Sequence, residues 1–201
     1  MTDHIGSDHM TQGFNTSFVE DRFGNENSAL ALNGGWTQVP PGVYFNTPGF
    51  TISVWVLPQM VGKWSRVIDF GNGAPSDNVV LTLNSGSTNE IPILAVDIGT
   101  IYGKVYSSQS LTQNSWQHIA ASFDGIKMKI YINGTLMSET DYPVKGSLMP
   151  TSLNRTYCYV GKSNWANNGF SSSFLDDLRF YNKSLSQSEI NELMNDLSLS
   201  K

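Results

Sequence analysis

A single cysteine, Cys158, stands among 201 residues. No intrachain disulfide and no cysteine-built zinc site is therefore available to the fold. Charge is scarce as well. Asp, Glu, Lys and Arg make up 14% of the chain, against the ~25% usual in soluble domains. The balance is acidic, with a net charge of −5 from 12 basic and 17 acidic residues. That excludes a dense basic surface for nucleic acid or an anionic membrane. No stretch approaches the ~20 consecutive apolar residues of a spanning helix, so no membrane insertion is expected. The first ten residues lack the basic-then-apolar pattern of a secretory signal. Residues 1–10, with His4 and His9, read as a cloning remnant, and 11–201 as one domain. A chain this long buries roughly 70% of its unfolded surface and needs no covalent staple.

Neutral polar residues are what the chain has in excess. Ser, Thr and Asn total 57 residues. Such a surface suits a loop-rich β protein working outside the cell or on its surface. Four sequons, at Asn15, Asn133, Asn154 and Asn182, agree with a secretory route.

Period-2 alternation recurs past residue 28. Phe50 to Val56 alternates and is expected to stop at Pro58. Further strands are expected over 28–33, 36–39, 64–70, 79–83, 91–96, 102–106, 156–161 and 173–181. The strongest local signal lies at 116–139, where apolar runs meet at Asp124-Gly125 and again at Asn133-Gly134. Both dipeptides favour tight hairpin turns, so three strands form a meander there. The one helical signal is near the C-terminus. Ser186 and Glu189 form a capping-box pattern, and Ile190, Leu193, Met194 and Leu197 follow at helical spacing. The fold class is therefore all-β, a two-sheet antiparallel sandwich with a short closing helix.

Several segments together resemble a family pattern. They are Gly49 to Val56; Trp64-Ser65-Arg66-Val67-Ile68-Asp69-Phe70-Gly71; Trp116-Gln117-His118-Ile119-Ala120 through Tyr131-Ile132-Asn133-Gly134; Tyr159 to Trp165; and Leu175-Asp176-Asp177-Leu178-Arg179-Phe180-Tyr181-Asn182, with Leu185-Ser186 and Glu189-Ile190 behind it. The chain resembles the LamG-like jelly roll of the concanavalin A-like lectin/glucanase superfamily over residues 28–193. The resemblance implies a jelly roll and a secreted or surface setting. It also implies a lectin-like role in carbohydrate binding or cell adhesion within a larger protein. The expected partner is a glycan or cell-surface glycoconjugate. A protein receptor, as for laminin G modules, is the alternative.

Catalysis is not expected. A glycosidase needs two carboxylates roughly 5–10 Å apart, and the superfamily's glucanases present them in an E-x-D-x-E strand pattern that this chain lacks. Asp97 has no acid two residues away, and Asp176 and Asp177, being consecutive, point to opposite faces of a regular strand. His118 and Cys158 read as packed strand residues, and Arg66 with Asp69 as a structural pair. Trp55 and Trp116 are expected in the core.

The resemblance further implies one calcium ion where the last long strand passes the N-terminal segment, with Asp176 as ligand. An inward carboxylate needs a compensating partner, and hard oxygen donors suit Ca²⁺. Asp21, Asn25 and Asn27 are the expected contributors from the N-terminal segment. Sugar recognition needs an aromatic platform beside planar polar groups. The loop 162–170 offers Trp165, Asn164, Asn167 and Asn168, and the turn at 73–78 offers Asp77 and Asn78. These are the expected ligand-binding residues.

Overall fold

A computed structural model describes residue 10, residues 12–144 and residues 153–196. Fourteen strands and one helix are seen: β1 (Gln12–Val19), β2 (Ala29–Val39), β3 (Gly42–Val43), β4 (Phe50–Val61), β5 (Arg66–Gly71), β6 (Val79–Thr82), β7 (Ile93–Ile98), β8 (Ile101–Tyr106), β9 (Gln117–Phe123), β10 (Lys127–Ile132), β11 (Thr135–Asp141), β12 (Asn154–Arg155), β13 (Tyr157–Val160), β14 (Ser171–Tyr181) and α1 (Gln187–Met194). All pairings are antiparallel. The strand order is β11-β10-β9-β4-β14-β2-β13-β5-β6-β7-β8, with β1 also on β2 and a small β3–β12 pair apart. This is the all-β jelly roll read from the sequence.

β2 is shared by two layers. Its first half, Leu30 to Asn33, pairs with β14, and its second half, Thr37 to Val39, pairs with β13. Thr37 and Gln38 also pair with β1, which must then lie on the opposite edge. The kink between the halves falls at Gly34-Gly35, where Gly34 has φ 69°. A Cβ on Gly35 would collide with the carbonyl oxygens of Phe14 and Asn15. The two strands expected at 28–33 and 36–39 are thus one strand bent by glycine. The bend separates sheet I (β11, β10, β9, β4, β14) from sheet II (β13, β5, β6, β7, β8).

Alternation places Val54, Val56, Ile119, Ala121 and Ile130 of sheet I against Ile68, Phe70, Leu81, Leu94, Val96 and Val105 of sheet II in one core. Burying such side chains contributes roughly 1.5–3 kcal/mol each before entropic costs. β4 runs through Pro58 to Val61 rather than ending there, because its ladder to β14 skips a residue at that point. The same period turns Trp55 outward with Ser53 and Leu57. Trp55 packs on His118, with ring centroids 5.5 Å apart. Trp116 lines an outer depression with Leu57 and Phe174. Neither tryptophan belongs to the core cluster, contrary to the expectation from their strand positions.

The capping box is present as read: Ser186 caps α1 and Glu189 returns the bond. Ile190 and Leu185 pack on Ala120 and Tyr131, which closes one end of sheet I's outer face. Leu197, the last residue of the helical pattern, lies outside the described residues. Ser186→Ala should lower the free energy of unfolding by about 1 kcal/mol and Ile190→Ala by about 3 kcal/mol, measured by urea denaturation with unchanged m-values.

Candidate functional site

The outer face of sheet II is open. Register sets Thr82 opposite Arg66 and Ile93, Ala95 opposite Val80 and Lys104, and Asp97 opposite Tyr102. These outward residues, with Trp64, Trp165 and Asn168, line a cleft of about 380 Å³. Trp64 precedes β5 with φ 61°, a left-handed conformation that turns its ring onto the sheet face. Gly86 is required beside it, since a Cβ there would strike the Trp64 indole. Two cations sit over the aromatic walls. Lys104 Nζ lies 6.0 Å from the Trp64 ring, and the Arg66 guanidinium 5.7 Å from the Trp165 ring.

The wall carrying Trp165 is held by a buried carboxylate. Asp69, fully buried in β5, accepts from Asn164 N at 2.9 Å, Asn164 Nδ2 at 2.8 Å, Asn78 Nδ2 at 2.8 Å and Arg66 Nε at 3.4 Å. Arg66 in turn donates to Trp64 O at 2.6 Å and Ser163 Oγ at 3.1 Å. Ser163 Oγ accepts from Trp165 N at 3.0 Å and Asn168 Nδ2 at 2.9 Å. One carboxylate therefore fixes β5, the 72–78 turn and the 162–170 loop together. A buried charge held this way is satisfied by donors rather than left to a ligand.

Asp97 is different. It is 4% exposed, and its Oδ1 has no hydrogen-bond partner. A buried, unmade acceptor costs about 1–3 kcal/mol or more. Burial lifts its carboxyl to about 6, against the pull of Lys104 and with the push of Asp69 and Asp77. The cleft thus combines aromatic faces, two cations, an amide at Asn168 and an acceptor with nothing to accept from.

Of the ligand-binding residues read from the sequence, Trp165 and Asn168 line this cleft. Asn167 is exposed in the same loop. Asn164 and Asn78 are spent on Asp69, and Asp77 Oδ1 accepts from Gly99 N at 2.8 Å, so these three shape the walls from behind. Trp64, Asp97, Tyr102 and Lys104 were not anticipated as one site. A signal was present: the β7–β8 hairpin around Gly99 pairs Asp97 with Tyr102, and alternation sets Lys104 on their face.

The expected calcium position has another occupant. Asp176 does face the N-terminal segment, but Arg22 from that segment fills the place of the ion. Its Nη1 bonds Asp176 Oδ2, and its Nη2 bonds Asp177 Oδ2 at 2.7 Å. The two carboxylates converge because β14 bulges between Asp176 and Arg179, with Asp177 at φ 48°. Regular alternation would have sent them to opposite faces. Asp21 Oδ1 accepts from its own loop, from Phe23 N at 2.8 Å and Asn25 N at 3.0 Å, and Asp21 Oδ2 accepts from Asn25 Nδ2 at 2.8 Å. Among the described residues no acidic, His or Cys cluster fits a metal. The donor set Asp176, Asp21 and Asn25 does not fit calcium: a guanidinium already neutralises the carboxylates, and the amide Nδ2 of Asn25 faces Asp21. His118, also on this face, is buried and shares a 2.8 Å hydrogen bond between its Nε2 and Ser53 Oγ. Cys158 is buried, and burial pushes its thiol up to about 12, which leaves it inert.

The family model for the concanavalin A-like lectin/glucanases superfamily matches residues 32–191. No curated protein matches the chain. Among solved structures, domain 4 of AbnA, an extracellular GH43 arabinanase from Geobacillus stearothermophilus in complex with arabinotriose, is similar with TM-score 0.75 and 22% identity, over 94% of this chain and 89% of that one. The binding domain of Paraclostridial Mosquitocidal Protein 1 is similar with TM-score 0.68 and 17% identity, over 94% and 47%. The binding domain of botulinum neurotoxin DC, in complex with rat synaptotagmin II, gives 0.64 and 17%, over 96% and 47%. This chain spans about half the length of those two toxin domains. At such identities the likeness shows the fold alone.

Two tests follow from the electrostatics. Folding raises the Asp97 pKa from 3.8 to about 6, so the folded state gains stability from this group as pH falls through 6 towards 4. His118 is lowered from 6.5 to about 4, by burial first and by Arg22 and Arg179 next. Its protonation therefore favours unfolding over nearly the same range, and the two slopes oppose. Asp97→Asn should be more stable at pH 7, by up to about 3 kcal/mol. It should also lose stability more steeply than wild type between pH 6.5 and 4, read from denaturant midpoints. Arg22→Met should cost about 3 kcal/mol by stranding two carboxylates, while EDTA leaves the wild-type melting temperature unchanged.

Proposed function

We propose that this chain, which belongs to the concanavalin A-like lectin/glucanases superfamily, binds a neutral glycan in the cleft on sheet II and does no chemistry on it. It would serve as the carbohydrate-binding or adhesion module of a larger secreted or surface protein. The observation that carries this reading is the unpartnered Oδ1 of buried Asp97 beneath aromatic walls. A sugar ring offers what such a site lacks. Its C–H face stacks on the indole of Trp165 or Trp64. One hydroxyl donates to Asp97, and its neighbour accepts from Lys104 or Asn168. Few polar groups converging in an apolar cleft is the usual form of a small-ligand site.

A binding role is supported over hydrolysis by the carboxylate inventory. Among the described residues Asp97 is the one acid lining the cleft, whereas glycoside hydrolysis uses a pair. Asp69, on β5 behind the Trp165 wall, is saturated by donors. The arabinotriose bound to the similar arabinanase domain supports a glycan ligand. A protein receptor is the second reading. It is favoured by the synaptotagmin complex of the similar toxin domain and by Phe14 and Phe18, exposed on β1.

A glycan array followed by titration calorimetry separates them. Wild type should bind one class of neutral glycan. Trp165→Ala and Asp97→Ala should each weaken it at least tenfold, the size of one lost stacking or charged hydrogen-bond contact. Silence on the array with capture of a protein receptor would favour the second reading. Released reducing sugar would restore an enzymatic one.

A further inference from the structure

We infer that the same face carries a second glycan subsite, formed by Trp36, Tyr157, Tyr159 and Lys162, and that the ligand is a chain spanning both subsites rather than a single sugar. The inference rests on the cleft being a glycan site. Trp36 of β2 and Tyr159 of β13 meet edge to face, with centroids 5.5 Å apart. Lys162 Nζ lies 4.3 Å from the first ring and 4.5 Å from the second. Tyr157, two residues before Tyr159 on the same strand face, lies near-parallel to it, 6.5 Å away at 23°. Tyr157 remains 45% exposed. The result is an aromatic ladder with one ammonium lying over two of its rings, and Gln38, opposite Tyr159, beside it.

This ladder serves neither the core nor the cleft, yet it adjoins the cleft directly. Tyr159 pairs with Asp69 on β5, and Asn164, clamped on Asp69, also donates to Tyr157 O at 3.2 Å. The loop segment from Lys162 to Trp165 therefore runs between the two aromatic groups and sends one side chain to each. From β2 to β7 is four strand steps, roughly 19 Å. That is much longer than one sugar ring and suited to a linear oligosaccharide. Tyr157, exposed and near-parallel to Tyr159, presents a flat apolar face at little entropic cost, and the tyrosine hydroxyls supply polar edges. The acidic chain disfavours a polyanion here, since a single lysine lies over the ladder.

The test is a length series. Linear arabino-oligosaccharides of one to six units, with xylo- and cello-oligosaccharides in parallel, are titrated into wild type, Tyr157→Ala and Trp165→Ala, each checked for an unchanged melting profile. Wild-type affinity should rise again, by roughly tenfold, once the chain is long enough to reach the ladder. Tyr157→Ala should lose that second rise and bind the shortest ligands as wild type does. Trp165→Ala should weaken every length. A long-chain affinity untouched by Tyr157→Ala would overturn the second subsite and leave the cleft standing. Equal loss at all lengths in Tyr157→Ala would mean one continuous site and also overturn it. Failure of wild type to bind any length of any of these glycans would instead sink the glycan reading of the cleft, and the second subsite with it.

Discussion

The open face of this molecule depends on one buried carboxylate. Asp69 lies under the 162–170 loop with no exposure to solvent. An ionised group there must collect donors, and the donors it collects come from three separate stretches of chain. Asn164 brings the loop, Asn78 brings the turn before β6, and Arg66 brings β5 itself. Trp165 reaches the cleft because its own amide is tied to Ser163, which Arg66 holds in place. Polar residues of this kind add little to net stability. Their contribution is to give the loop a single conformation, which is the condition for a preorganised site.

The two outer faces of the sandwich have been put to different uses. On sheet I, α1 covers one end and the Arg22 clamp holds the other, with Asp176, Asp177 and Trp55 gathered around one guanidinium. That face joins the N-terminal segment to the last long strand, and its charges are neutralised within the chain. On sheet II, aromatic rings line the open cleft with cations laid over them, and Asp97 has an acceptor unmet. The contrast is between an outer face that α1 and the Arg22 clamp occupy and one whose cleft stands open.

Much of the fold was legible in the sequence because strand period and turn chemistry are local. Asp124-Gly125 and Asn133-Gly134 marked the β9–β10–β11 meander, and Ser186 with Glu189 marked the helix start. β1 was not legible. It is an edge strand of mixed polar residues whose place is set by pairing to β2. The site was half legible. Trp165 and Asn168 stood out as loop residues, but composition cannot distinguish an amide facing a ligand from one, such as Asn164, facing a buried aspartate. Asp97 looked like a lone acid in an apolar strand, and only the burial of its neighbours gives it meaning. The calcium expectation did not foresee a bulge in β14. Asp177 at positive φ swings beside Asp176, and the pair then suits a bidentate arginine better than an ion.

The chain's five tryptophans are distributed so that one spectrum can report where a ligand sits. Trp64 and Trp165 wall the cleft, while Trp55 and Trp116 lie on the opposite outer face. In a proton–nitrogen correlation spectrum recorded during titration with a neutral oligosaccharide that the protein binds, the indole signals of Trp64 and Trp165 should move, and those of Trp55 and Trp116 should stay. Movement of Trp55 and Trp116 with Trp64 and Trp165 unmoved would place recognition on sheet I and contradict the assignment of the cleft.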